Sequence, residues 1–72
     1  MEYVKVSYPS KRDVLVDGQV AGKTNDTLMV EAGHHIFALG DPQEVYEPPT
    51  VEKVVENTTP LSPLVISDFH PV

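Results

Sequence analysis

Apolar side chains recur at every second position through most of the first forty residues. In Tyr3–Tyr8, Val4 and Val6 alternate with Lys5 and Ser7, and in Arg12–Asp17 the valines 14 and 16 keep the same phase. A period of two in a stretch rich in β-branched and aromatic residues marks a strand with one buried face. The pattern returns in Leu28–Glu31, where Leu28 and Val30 oppose Met29, and in His34–Gly40. That last strand puts His35, Phe37 and Leu39 on one face and leaves Ile36 and Ala38 on the other. Pro9-Ser10, Asp17-Gly18 and Ala32-Gly33 punctuate the strands as turns. Asp17-Gly18 is the strongest of these, because Asp followed by Gly suits the positive backbone angles of a tight hairpin turn, so the chain reverses there.

Beyond Gly40 the alternation stops. Six of the seven prolines lie at or after Pro42, and residues 41–50 have no period that a strand or helix could use. They read as a long, partly extended connection. In Val51–Asn57, residues Val51, Val54 and Val55 fit helical spacing, but short length, β-branched content and the neighbouring Pro49 and Pro60 predict a strand. Leu64–Phe69, bounded by Pro63 and Pro71, is the last predicted strand. No segment predicts a helix and none repeats. Five to seven short strands joined by frequent turns predict an all-β fold, a small antiparallel β-sandwich forming a single domain over residues 1–72.

Composition narrows the classes. At 72 residues the chain buries only about 60% of its unfolded surface, so its stability margin is thin and self-association is one way to widen it. There is no cysteine, which excludes disulfides and thiolate metal sites. The net charge is -6, and residues 37–72 carry one basic and six acidic side chains against four and five in residues 1–36. Such a chain repels nucleic acid and anionic lipid, since both are bound by Lys and Arg. No basic start followed by an apolar run is present, so the chain as written is expected to be cytoplasmic, or to lie in the cell envelope if it is a fragment of an exported protein, and not to be inserted in a membrane.

Val16–Thr24 (VDGQVAGKT) ends like a phosphate-binding loop. A Walker loop needs glycines five positions apart and a following helix, however, whereas three residues separate these glycines and a strand follows. The expectation is a hairpin and its neighbouring turn.

Pro9, Val14–Gly18 (VLVDG), Gly22–Thr24 (GKT) and Leu28–Leu39 (LMVEAGHHIFAL), in that order, resemble the PEGA domain, a bacterial β-sandwich family. Valines 14 and 16, Asp17, Gly18, Gly22, Thr24, Leu28, Val30, Gly33 and His35 fall where its pattern has them, over residues 9–40. Departures are Pro9-Ser10-Lys11-Arg12 in place of the tetrapeptide that names the family, Asn25 in place of a proline, and Gly40-Asp41 where Gly-Tyr often follows. The resemblance implies a prealbumin-like, carbohydrate-binding-like sandwich without cofactor or active site. It also implies a recognition or scaffolding role, often at the cell envelope.

Candidate chemistry is sparse. His34 and His35 are adjacent on a strand, so they point to opposite faces, and the third histidine, His70, could join only one of them; no metal site is expected. By phase, His35 lies on the core side with its ring bonded to a carbonyl or to the turn near Gly18, and His34 is exposed. Asp13, Asp17, Asp41, Glu44 and Glu47 could supply a carboxylate pair, but all lie in or beside turns. Asp41, Glu44 and Glu47 also concentrate oxygen ligands for calcium, with irregular spacing and prolines 42, 48 and 49 against them. Asn25 and Asn57 satisfy the glycosylation acceptor pattern. Tyr3, Tyr8 and Tyr46 are candidate contacts to saccharide or peptide if exposed, and edge caps otherwise. Together with what the resemblance implies, these features predict a non-enzymatic module with no cofactor that binds a protein or an envelope saccharide; the alternatives are a purely structural self-associating domain or a metal- or calcium-binding module.

Overall fold

The computed structural model, which describes residues 1–72, forms nine strands and no helix. They are β1 (Glu2–Val6), β2 (Asp13–Val16), β3 (Gln19–Lys23), β4 (Thr27–Val30), β5 (Gly33–Leu39), β6 (Tyr46–Glu47), β7 (Val51–Val55), β8 (Leu64–Ile66) and β9 (His70–Pro71). One sheet has the order β4-β1-β8, a second the order β3-β2-β5-β7, and β6 pairs with β9 alone. The chain is a small all-β sandwich.

Alternation builds its core. Val4 and Val6 of β1, Leu28 and Val30 of β4, and Ile66 of β8 meet Val14, Phe37, Leu39, Val51 and Val55 of the other sheet, and Tyr8 and Phe69 complete the cluster. Phe37 lies at its centre with no exposed surface. Every buried strand residue is two positions from the next in its own strand, except across β7, where Val51 and Val55 bracket the half-buried Lys53.

The hairpin at Asp17-Gly18 forms as the dipeptide predicts, with φ of 52° and 87° at its two central residues, the signs of a type I′ turn. Its second strand, β3, is an addition to the sequence reading, which assigned no strand between the turn and Leu28. The reason is local. A register shift between Val14 and Leu15 breaks the alternation opposite β3. Gly22 adds no apolar signal; a Cβ there would overlap the Leu28 side chain, so its glycine lets β3 lie close to β4.

The second half departs further. The predicted strand Leu64–Phe69 stops at Ile66, and β9 rather than this segment is last. Residues 41–50 are not wholly irregular, since Tyr46 pairs with Pro71 and Glu47 with His70. Proline suits this position because a two-residue edge pair can spare one donor. β8 also runs parallel to β1, Val4 opposite Leu64, whereas all other pairs are antiparallel. The crossing from β7 to the other sheet delivers β8 in the direction of β1.

Candidate functional site

Two clusters of polar side chains and two surface depressions are the places where chemistry could occur. The first cluster joins the turn at Asp17 to the start of β5. Asp17 Oδ1 accepts from the Ile36 amide at 2.9 Å, and its Oδ2 lies 2.6 Å from His35 Nδ1. The other ring nitrogen, Nε2, lies 2.6 Å from the Glu31 carbonyl oxygen. A carboxylate and a carbonyl can only accept, so this arrangement favours the protonated ring, in which both nitrogens donate.

Electrostatics agree with that geometry. The hydrogen bond to Asp17, then that to Glu31, raises the His35 pKa above 6.5 against the opposing effect of burial. The Asp17 carboxyl is held below 3.8, first by the Ile36 amide and then by His35. An Asp-His pair resembles the base of a hydrolase, but here the second nitrogen is spent on a backbone carbonyl and no nucleophile adjoins it. It is a latch between the two sheets. Its position fits both halves of the sequence expectation: His35 is 12% exposed at the side chain, edge-on to Phe37 at 6.3 Å, and bonded to a carbonyl and to the turn. His34 is exposed, with Nε2 2.8 Å from Glu52 Oε2.

The second cluster surrounds Arg12, which is 2% exposed and has no carboxylate partner. Its Nε and Nη2 donate to the Gly40 carbonyl at 3.2 and 2.8 Å, and Nη1 donates to that of Glu44 at 2.8 Å. The guanidinium carbon lies 4.8 Å from the Tyr46 ring centre and 5.7 Å from that of Tyr8. Carbonyl dipoles and ring faces thus replace the missing counter-charge. Sequence reading missed this residue, because an arginine at the start of a strand looks solvated and its partners lie about thirty positions away. The only signal was the pair of glycine and proline turns around residues 40–42, which supply free carbonyls.

The other expected groups are also engaged. Thr24 is fully buried; its hydroxyl accepts from the Arg12 amide at 2.9 Å and donates to the Ser10 carbonyl at 2.7 Å. Lys23 is paired with Asp13. The GKT segment therefore ties β3 to β2 and holds no phosphate loop. The Tyr46 hydroxyl bonds the Leu39 amide and the carbonyls of Leu39 and Pro49, each at 3.1 Å, and its ring packs on Phe69 at 5.7 Å. Tyr8 is buried and Tyr3 half-buried, so no tyrosine stands out as a flat platform. Asn25 holds both backbone groups of Tyr8 through its carboxamide, which leaves its nitrogen closed to a glycan. Asp41, Glu44 and Glu47 do not converge, and no three His, Asp or Glu side chains come together. Glu47 instead faces His70 at 3.8 Å, both exposed.

Of the two depressions, one of about 370 Å³ lies over Arg12, between Gly40 and Tyr46. The other, about 440 Å³, runs between β3 and β4 and is lined mainly by apolar side chains, including Val16, Val20, Met29 and Val30. Both are open to solvent. No family model matches the chain, and neither a curated protein nor a solved structure matches it.

Proposed function

We propose that the chain is a non-enzymatic recognition or scaffolding module whose ligand is a protein. One observation carries this reading: each of the four edge strands of the two sheets presents a large apolar side chain that is more than half exposed. These are Val20 on β3 at 63%, Met29 on β4 at 60%, Val54 on β7 at 59% and Val65 on β8 at 53%. Sheet edges are normally blunted with lysine or proline, because their unpaired backbone groups pair with other chains. Edges that carry apolar side chains are suited to adding a strand from a partner.

Protein is favoured over envelope saccharide because saccharide binding relies on flat exposed rings, and here Tyr8 is buried, Tyr46 is hydrogen-bonded into the fold and Tyr3 is half-buried. The resemblance of residues 9–40 to PEGA domains is in keeping with a bacterial, envelope-associated module, and that setting belongs to the same proposal. Self-association through the same edges is the second reading, and the net charge of -6 opposes it by repulsion.

Selection from a displayed peptide library tests the proposal. A recovered consensus with apolar residues at alternate positions is expected. Failure to enrich any sequence, together with amide shifts on adding N-acetylglucosamine oligomers, would replace protein by saccharide. A melting temperature that rises with protein concentration would favour self-association.

A further inference from the structure

Residues 31 and 32 carry the chain from β4 to β5, and so from one sheet to the other. Both are exposed, and neither makes a hydrogen bond to another backbone group. The one hydrogen bond that holds this crossing is the contact of the Glu31 carbonyl with His35 Nε2 at 2.6 Å. Gly33 follows with φ of 122°, a conformation that glycine reaches without strain, so the crossing has a pivot at its far end.

Loss of one proton forces a choice on the His35 ring. A neutral imidazole has a single N–H, whereas both of its partners here are acceptors. With the proton on Nε2, the Nδ1 lone pair would face the full negative charge of the Asp17 carboxylate at 2.6 Å. With the proton on Nδ1, the charge-assisted bond to Asp17 survives, and the Nε2 lone pair faces only the dipole of a neutral carbonyl. The second arrangement costs less, and its repulsion is relieved by moving residues that no other hydrogen bond holds. Asp17 yields less easily, since its other oxygen accepts from the Ile36 amide.

The surrounding charges leave that choice in place. Asp17 acts on the ring from the β2–β3 turn and the Glu31 carboxylate from the end of β4, while Met1, with its α-ammonium, lines the same depression from the start of the chain. On β5 itself, His34 is paired with Glu52, and Lys53 of β7, opposite His35 in the ladder, is paired with Asp68. The hydrogen bonds to Asp17 and then to Glu31 raise the His35 pKa above 6.5, so the charged ring persists past the ordinary histidine range.

We infer that His35 is a proton-operated catch on the β4–β5 crossing: charged, it holds Asp17 and the Glu31 carbonyl together, and neutral, it keeps Asp17 and lets residues 31–33 swing away. Glu31 and His35 both line the depression between β3 and β4, so the change opens one end of it. Only a tie between the sheets is released; the ladders and the core are untouched.

Amide spectra, backbone nitrogen relaxation and histidine side-chain nitrogen spectra of the whole chain, recorded across about pH 5 to 9, test the catch. As pH rises, the neutral His35 ring is expected to carry its proton on Nδ1, and the amides of Glu31, Ala32 and Gly33 to shift along the His35 titration. The heteronuclear NOE should fall at those three residues while Gly18 and Ile36 stay as rigid as before. His35→Gln should remove the pH dependence at 31–33. His34→Gln, and acetylation of the Met1 amine, take away the neighbouring bases and should leave it. A neutral ring protonated at Nε2, loosening at Gly18 and Ile36 in place of 31–33, or a response at 31–33 that survives His35→Gln would overturn the inference.

Discussion

From Glu2 to Leu39 the buried apolar side chains follow from alternation along strands of four to seven residues, and backbone ladders carry the structure. From Gly40 onward, β7 alone is of comparable length, and the chain is tied down by polar side chains reaching across from the first part. Arg12 holds the carbonyls of Gly40 and Glu44, and the Glu2 carboxylate accepts from both the amide and the hydroxyl of Thr58 at 2.8 and 2.6 Å. Those two bonds also hold the Glu2 carboxyl below its usual range, the hydroxyl having the larger effect. The contrast teaches that a short chain can order a proline-rich segment that adds only a few side chains to the shared core, by lending it hydrogen-bond donors and acceptors.

Four substitutions break or sharpen that contrast. Phe37→Ala empties the centre of the core and should cost about 4 kcal/mol. Its loss is global, so hydrogen exchange should rise together in β1 to β5 and β7. Arg12→Met strips donors from the Gly40 and Glu44 carbonyls and should cost about 3 kcal/mol. Here the amides from Gly40 to Tyr46 are expected to exchange first while β1 to β4 stay protected; a uniform rise would mean the two regions are one cooperative unit. Tyr46→Phe keeps the ring on Phe69 and Arg12 but loses the hydroxyl, for about 1.5 kcal/mol, visible as a lower urea midpoint.

The smallest effect belongs to the latch and depends on pH. Because the folded His35 pKa is raised above 6.5, its stabilisation is complete below that value and fades as pH climbs through the raised one. Because the Asp17 pKa is lowered from 3.8, its contribution is complete above 3.8 and fades as pH falls through the lowered one. Both are present between 3.8 and 6.5. Melting curves from pH 5 to 9 should show a decline in the native protein that His35→Gln lacks.

The first half was legible because period two, an Asp-Gly turn and β-branched residues all point the same way. His35 was legible for the same reason, its phase beside Phe37 forcing it inward toward the turn. β3 was hidden by a bulge and by Gly22, whose role is to make room for Leu28. β6 and β9 were hidden because two-residue strands have no period of their own and form only where Phe69 and Tyr46 bring their segments together. Arg12 was hidden because burial of a charge is decided by distant carbonyls. The depression between β3 and β4 could not be seen at all, since it arises from two strands that never pair.

The central position of β1 in its sheet has a consequence in time. Its antiparallel neighbour β4 lies close in the chain, but its parallel neighbour begins with Leu64 opposite Val4. On a ribosome, β1 is made nearly sixty residues before β8 and lacks that neighbour until then. Closing so long a loop is slow and costly in entropy. Folding to the finished sandwich is therefore set by the arrival of β8, and a nascent chain is most open to mispairing in the interval before it.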